Sequence, residues 1–186
     1  MNILKNKMLY ILIIFLAVAD QFLKFFIVDL LYLYEQIPVI EGFFYITYVK
    51  NTGGAFSLLS QRSWGIYLLS ALSIIIVILL LYAINRFSHD VYRWVRVAIA
   101  VLCGGAIGNL VDRVLEGAVV DYLMFVFGSY TFPIFNLADI CIVVASVSLA
   151  IMLIFDKRLL HHDDSSDASK DELEHVPIEE QGDAHE

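Results

Sequence analysis

Hydrophobic residues gather into four long runs along this chain, at positions 8–28, 64–84, 94–111 and 136–155. A helix that crosses a bilayer needs about 20 mostly apolar residues, and each run is close to that length. The second run carries no charge, whereas the first contains Asp20 and Lys24 and the fourth has Asp139 near its start. The pattern predicts an all-α membrane protein with four transmembrane helices.

Basic residues flank the predicted spans on one side of the membrane. Because cytoplasmic loops are enriched in lysine and arginine, both termini are predicted to be cytoplasmic, with external loops at 29–63 and 112–135. This orientation places a membrane domain over residues 1–158. The basic residues that indicate it are Lys5 and Lys7 before the first span, Arg86, Arg93 and Arg96 around the second loop, and Lys157 and Arg158 after the fourth span.

The first run also has features of a cleavable secretory signal. Lys5 and Lys7 precede an apolar stretch that ends in Ala17-Val18-Ala19, and such a sequence is typical of a signal peptide. The apolar residues nevertheless continue over positions 22–28, beyond the point where a signal would be cut. We therefore expect a retained membrane span.

The two external loops have the composition of short strands. Residues 42–50 read GFFYITYVK, and aromatic and β-branched residues favour strands. Residues 122–127 and 130–135 flank Gly128-Ser129, a two-residue connection typical of a type II′ hairpin, while Pro133 restricts pairing to an edge position. We expect a small extracytoplasmic β-sheet at the level of the lipid headgroups, where aromatic rings concentrate.

The composition supports a membrane protein and excludes a basic nucleic-acid-binding face. Of the 186 residues, 60% are hydrophobic and 17% are charged, against about 45–50% and about 25% in soluble domains. The net charge of −8 comes from residues 159–186, which hold ten of the 20 acidic residues and one of the 12 basic ones. The rest of the chain is close to neutral, so no nucleic-acid partner is expected, and the acidic tail is predicted to be disordered in the cytoplasm.

Polar residues converge on the outer level of the predicted membrane domain. An ionisable group inside a span costs about 2.5–3.5 kcal/mol, so each one requires a partner or a function. At about 1.5 Å per residue, Asp20 lies about 12 Å and Lys24 about 6 Å below the outer end of the first span. This convergence predicts a functional site near the outer face. Its other members are Asn51, Asn109, Asp112, Arg113, Asp121, Asn136 and Asp139.

Some of these charges have a structural explanation as ion pairs. Asp20 and Lys24 are spaced i, i+4, and residues at this spacing lie side by side on a helix and can neutralise each other. Asp112 and Arg113 could form an interfacial ion pair that ends the third span. These explanations leave a role in the site open for all four residues.

Two further features also have structural explanations. Gly104 and Gly108 form a GxxxG spacing, which is typical of close packing between membrane helices. Asn136 could cap the fourth helix by accepting a hydrogen bond from the amide of Asp139. A capping role of this kind is compatible with a place in the site.

Asp121 and Asp139 suggest acid–base chemistry. In a pair of carboxylates that shares one proton, the ionised member takes a proton from water while the protonated member donates to a substrate carbonyl. The two residues are 18 positions apart, and periodicity alone does not show that they meet. The pair is therefore a hypothesis at this point. No set of His and Cys ligands is evident, so neither a metal nor another cofactor is expected.

Five sequence blocks resemble the signal peptidase II family, also called lipoprotein signal peptidase, which are membrane aspartic endopeptidases of bacteria. The resemblance implies four transmembrane helices, cytoplasmic termini, and a small extracytoplasmic sheet and short outer helix that cover the site. The blocks are Asp20-Gln21 with Lys24, NTGGAFS at 51–57, GGAIGNLVDR at 104–113, VVDY at 119–122, and FNLAD at 135–139.

The resemblance also implies a role for each candidate residue. Asp121 and Asp139 would be catalytic, and Asn51 and Arg113 would contact the substrate main chain. The remaining residues would shape or support the site: Asp20, Lys24, Asn109, Asp112 and Asn136. Tyr122 departs from the family, in which Phe is common at this position.

The implied substrates are prolipoproteins in the lipid bilayer whose cysteine carries diacylglycerol, cut just before that cysteine in the bacterial cytoplasmic membrane. We expect the protein to act as a monomer. A proton- or ion-coupled transporter with Asp20, Lys24 and Asp139 as a relay is the alternative function. It lacks polar steps in the cytoplasmic half of the spans, where Arg96 is the one charged residue. A non-enzymatic scaffold that binds through the GxxxG face is a third possibility.

Overall fold

Four long helices form the membrane part of the molecule. The computed structural model describes residues 3–53, 64–86 and 92–155, with side chains from residue 6 onwards. Within these ranges all four helices are long and apolar enough to cross a membrane, which confirms the four predicted spans. The helices are α1 (Ile3–Leu30), α2 (Gly65–Arg86), α3 (Arg93–Leu115) and α4 (Leu137–Phe155).

The third helix is longer than the sequence pattern predicts. The apolar run ends at residue 111, but α3 continues to Leu115 and includes Asp112 and Arg113. Asp112 is buried, with 4% of its surface exposed, and its carboxylate is bonded inside the protein. A charged residue that finds its partners in the interior does not have to end the helix.

Small residues allow α3 to pack closely against two other helices. A Cβ atom on Gly104 would lie 2.9 Å from the Cβ of Leu16 on α1, and one on Gly105 would lie 2.5 Å from the Ala138 carbonyl oxygen on α4. The predicted packing role of the GxxxG spacing is confirmed, because a Cβ atom on its second glycine, Gly108, would also lie 3.3 Å from the Cβ of Ala138 on α4. Farther along the helices, a buried core joins α1, α2 and α3, formed by Leu9, Ile13, Ile84, Ile99, Ala100 and Cys103.

A four-stranded antiparallel sheet lies in the connections and confirms the predicted small β-sheet. The strand order is β1-β2-β3-β4. In the register between the central strands, Val49 pairs with Asp121 and Asn51 pairs with Val119, which brings Asn51 close to Asp121. The strands are β1 (Gln36–Ile40), β2 (Phe44–Asn51), β3 (Val119–Phe127) and β4 (Tyr130–Thr131).

The hairpin between β3 and β4 is confirmed, although its second strand is shorter than predicted. Phe127 pairs with Tyr130, so the connection has two residues, and Gly128 has the positive φ of +62° that favours glycine in such turns. The predicted strand over 130–135 is wrong beyond Thr131. Pro133 has no N–H group to donate to a ladder, and Phe135 then forms an isolated bridge with Leu123.

The helices alternate in direction, so that their polar ends collect at two levels. At one end Arg96 of α3 donates a hydrogen bond to Asn6 of α1, and Asn6 donates to Asn85 of α2 at 3.4 Å. At the other end α1, α3 and the start of α4 meet the sheet. The predicted site residues lie at the sheet end.

One compact unit, Met1–Ala150, contains the sheet and nearly all of the helical residues. A second unit begins at Ile151, and the structure describes its residues 151–155, which complete α4. The predicted disordered tail, 159–186, lies outside the described residues. The same holds for the part of the NTGGAFS block that follows Gly53.

The close approach at Gly108 gives a test of this packing. A Cβ atom there would lie 2.6 Å from Oδ2 of Asp20 and 3.3 Å from the Cβ of Ala138. Because Asp20 is held by other bonds, we expect Gly108→Ala to lower the free energy of unfolding by about 2 kcal/mol. Thermal unfolding of the purified protein in detergent measures the change, and Ser146→Ala, at an exposed position of α4, is the control. Unchanged stability of Gly108→Ala would contradict the packing.

Candidate active site

The first turn of α4 is fixed by three side chains, one from α1, one from β3 and one from the residue directly before the helix. The first N–H groups of a helix have no partner within the helix, and in α4 these are the amides of residues 137–139. In order, they donate to the hydroxyl of Tyr122 at 3.1 Å, to Oδ1 of Asp20 at 2.9 Å and to Oδ1 of Asn136 at 2.9 Å. The start of α4 is thereby attached to both α1 and β3.

Asn136 and Asp139 form a reciprocal cap. The side chain of Asn136 accepts the amide N–H of Asp139, and Oδ2 of Asp139 accepts the amide N–H of Asn136 at 3.2 Å. This is a capping box, so the predicted cap is confirmed. A carboxylate in the first turn is also favoured by the helix dipole. The orientation of Asp139 is thus determined by the end of the helix on which it lies.

Lys24 lies at the centre of a buried ionic network. Its side chain is 3% exposed, and its Nζ lies 2.7 Å from Oδ2 of Asp20 and 2.9 Å from Oδ2 of Asp112. The predicted i, i+4 pair is confirmed, but Lys24 shares its charge with a second carboxylate. The predicted ion pair between Asp112 and Arg113 is wrong, because burial of Lys24 beside α3 supplies Asp112 with a different cation.

The remaining bonds of Asp112 are also structural. Its Oδ1 accepts from Nε2 of Gln21 at 2.7 Å, and its Oδ2 accepts the backbone N–H of Val120 at 3.0 Å. Gln21 donates in addition to the carbonyl oxygen of Gly108 at 3.0 Å. Asp112 therefore joins α1, α3 and β3, with donors on both of its oxygens.

Two asparagines bring Asp121 and Asp139 into one cluster. Nδ2 of Asn109 donates to Oδ1 of Asp139 at 2.8 Å, and Nδ2 of Asn136 donates to Oδ1 of Asp121 at 2.7 Å. The two asparagines are themselves bonded, from Nδ2 of Asn136 to Oδ1 of Asn109, at 3.1 Å. Since Asn136 contacts both carboxyl groups, the 18 residues that separate the aspartates in sequence do not separate them in space.

Asp121 lies in a desolvated position on β3. It is 3% exposed, and its Oδ2 accepts from Nδ2 of Asn51 at 3.0 Å. Burial raises the pKa of Asp121 from 3.8 to about 7, and the negative charge of Asp139 contributes to the rise. This carboxyl group therefore carries a proton for part of the time at neutral pH. The Asn51 amide is fixed in turn, because its Oδ1 accepts the N–H of Gly53 at 3.0 Å.

Arg113 has donor capacity that the described part of the chain does not use. It is half-buried beside Asp121 and Asp139, and its Nη1 donates to the carbonyl oxygen of Asn109 at 3.3 Å. Within residues 6–53, 64–86 and 92–155, its Nε has no hydrogen-bond partner. A guanidinium in this position can donate to a carbonyl oxygen of a bound peptide.

Sequence reasoning missed two supporting residues. Gln21 binds Asp112, and Tyr122 binds the first amide of α4. Both belong to blocks on which the family resemblance rests, and Tyr122 directly follows a candidate aspartate in a strand. No described group of three or more His, Cys, Asp or Glu residues could hold a metal ion.

A family model and individual relatives of this chain indicate the same protein family. The model of the family described as "Signal peptidase (SPase) II" matches residues 12–155. The lipoprotein signal peptidase of Bacillus subtilis is 38% identical over 154 residues, 82% of this chain and 94% of that protein. The one from Bacillus pumilus is 37% identical over 152 residues, 81% of this chain and 96% of that protein.

The chain belongs to the signal peptidase II family. Two solved structures described as bacterial membrane enzymes have the same fold. The one solved at 2.3 Å is similar with a TM-score of 0.71 and 31% identity, covering 85% of this chain and 94% of the other. The one solved at 1.9 Å has a TM-score of 0.69 and 33% identity, covering 81% and 94%.

Family membership makes this chain a multi-pass bacterial membrane protein and a peptidase, and the aspartic type fits the family. The comparisons give no support to the alternative of a proton- or ion-coupled transporter.

The cap from Tyr122 can be tested without touching a carboxylate. Tyr122→Phe removes the hydroxyl that accepts the first amide of α4, and we expect the free energy of unfolding to fall by about 1 kcal/mol. Thermal unfolding in detergent measures this loss, with Tyr67→Phe at an exposed position of α2 as the matched control. Equal stability of the two variants would show that the hydroxyl does not fix α4.

Proposed function

We propose that this chain removes the signal peptide from prolipoproteins by cutting the peptide bond before a cysteine that carries diacylglycerol. Membership of the signal peptidase II family supports the substrate class. The proposed catalytic groups are Asp121 and Asp139. The observation that carries this assignment is the Asn109–Asn136 pair, which bonds both carboxyl groups within one cluster.

In the proposed reaction, Asp139 is the general base and Asp121 the general acid. Asp139 takes a proton from a water molecule as the water oxygen attacks the scissile carbonyl, and Asp121 gives its proton to the carbonyl oxygen. The tetrahedral intermediate then collapses, the carbon–nitrogen bond breaks, and the proton held by Asp139 passes to the leaving amine. Return of the carbonyl proton to Asp121 restores the starting state. The raised pKa of the buried Asp121 supports its role as the acid.

The surrounding residues are proposed to hold this pair and the substrate. Arg113 has unused donor capacity beside the aspartates and is proposed to bind a main-chain carbonyl of the substrate. Asn51, bonded to Asp121, lies where it can contact the same chain. The groups proposed to shape or support the site through the contacts described above are Asp20, Lys24, Asn109, Asp112 and Asn136.

We further propose that the site faces the outer side of the cytoplasmic membrane and that both termini are cytoplasmic. The positive-inside rule supports this orientation, since Arg86, Arg93 and Arg96 lie at the helix ends away from the sheet. The acyl chains of a lipid-modified substrate remain in the bilayer, which keeps its scissile bond near the headgroups. Because one chain supplies every site residue described above, we expect the monomer to be active.

Neutral substitutions test the catalytic pair. We expect Asp121→Asn and Asp139→Asn each to lower the cleavage rate by at least about 10³-fold, because each removes one partner of the acid–base pair. The measurement is release of signal peptide from a diacylglyceryl-modified prolipoprotein by the purified protein in detergent. Asp29→Asn, at the exposed end of α1, is the matched control. Cleavage retained in either site variant would overturn the assignment.

The pH dependence of cleavage tests the role of Asp121. Its pKa is raised to about 7, so the protonated acid form predominates below that pH and is lost as the pH rises through it. We therefore expect kcat/KM to fall above about pH 7, with limbs that belong to the coupled pair. Initial rates between about pH 5 and 9 at constant ionic strength measure the profile. A rate that is constant from neutral to alkaline pH would exclude Asp121 as the acid.

A further inference from the structure

The carboxamide of Asn109 has one orientation that its neighbours allow. Its Oδ1 lies 2.9 Å from Nζ of Lys24 and 3.1 Å from Nδ2 of Asn136. An ammonium group donates hydrogen bonds and accepts none, so the Asn109 oxygen has to face Lys24. The amide nitrogen of Asn109 is then directed at Oδ1 of Asp139, 2.8 Å away.

Lys24 is the stronger of the two groups that hold this orientation. Nδ2 of Asn136 has two hydrogens but three acceptors within reach, which are Oδ1 of Asn109 at 3.1 Å, Oδ1 of Asp121 at 2.7 Å and the carbonyl oxygen of Val120 at 3.3 Å. Its bond to Asn109 therefore competes with two others. Lys24 has three N–H donors and lies within 2.7–2.9 Å of three oxygen atoms.

We propose that Lys24 is a positioning residue for catalysis, which acts through Asn109 to direct an amide N–H at the carboxylate of Asp139, the proposed base. The proposal rests on the function proposed above and adds to it a residue that acts on the catalytic pair through Asn109. An amide N–H directed at a carboxylate stabilises the charged form of that carboxylate. Lys24 contacts neither the catalytic pair nor a substrate group in this arrangement, and it acts by fixing which end of Asn109 faces Asp139.

Other charges near Asp139 have to be separated from this effect. Lys24 neutralises two buried carboxylates, and its removal changes the local charge as well as the orientation of Asn109. The experiment therefore has to distinguish a field acting through space from an effect carried by the amide. The charged and titratable groups that interact with Asp139 are Arg113 from α3 and Asp121 and Tyr122 from β3. The ion network of Lys24 adds Asp20 from α1 and Asp112 from α3, which are packed against the same site.

The test is the pH profile of Lys24→Met in the full chain, purified in detergent and assayed with a diacylglyceryl-modified prolipoprotein. Initial rates over a range of substrate concentrations give kcat and KM at each pH. We expect kcat to fall about tenfold, KM to stay within about twofold, and the acidic limb of the profile to move up by about one pH unit. The shift arises because the base loses a hydrogen bond to its charged form.

Two further variants separate positioning from structural support. Gln21→Met also removes a hydrogen-bond donor of α1 from the network, but Gln21 bonds to Gly108 and Asp112 and not to Asn109. The acidic limb of the pH profile of Gln21→Met should therefore not shift. Asn109→Ala should shift the limb as Lys24→Met does. Adding Lys24→Met to Asn109→Ala should produce no further shift, since residues that act through one another are not additive.

A charge-compensated variant keeps the proposal testable if Lys24→Met does not fold. Lys24→Met with Asp112→Asn removes one cation and one anion together, and thermal unfolding identifies which variants are folded. A folded Lys24 variant whose acidic limb is unshifted overturns the proposal, as does a shift that persists in the Asn109→Ala background. Failure of the proposed function is a different result, because the unsubstituted protein would then not cleave the substrate.

Discussion

The buried ammonium of Lys24 is the constraint on which the arrangement of this site depends. A charge removed from water requires several polar partners, and here they are Asp20 on α1 and Asn109 and Asp112 on α3. Each carboxylate has a second task, since Asp20 holds the start of α4 and Asp112 holds the backbone of Val120 at the start of β3. One cation thus fixes four elements at the same end of the molecule.

This network explains why we propose different roles for the aspartates. Asp112 accepts hydrogen bonds from Lys24, from Gln21 and from the backbone of β3. Its carboxylate therefore has a structural role, holding these three groups together. Asp121 and Asp139 receive neutral amide donors and no direct cation in the described residues. A carboxylate without a bound cation keeps a proton affinity suited to acid–base chemistry. Among the described residues, the two proposed catalytic carboxyl groups are therefore not paired with a cation.

The sequence predicted the features that depend on local pattern. The four apolar runs, the two-residue turn at Gly128 and the cap at Asn136 follow from spacing within short segments. The continuation of α3, the partner of Asp112 and the edge strand β1 depend on tertiary contacts, which no local pattern contains. β1 has every residue exposed and a proline within it, so it lacks the alternation that marks a strand. The pairing of Asp121 with Asp139 rested on the family resemblance, because a strand and a turn separate them.

The most direct measurement of the central claim is an experimental structure of this protein with a non-cleavable lipopeptide in which a hydroxymethylene group replaces the scissile bond. That hydroxyl imitates the attacking water in the tetrahedral intermediate. We expect this hydroxyl to lie within about 2.6–3.2 Å of a carboxyl oxygen of Asp121 and of one of Asp139. A hydroxyl bound by one of these aspartates alone, or by Asp112, would contradict it.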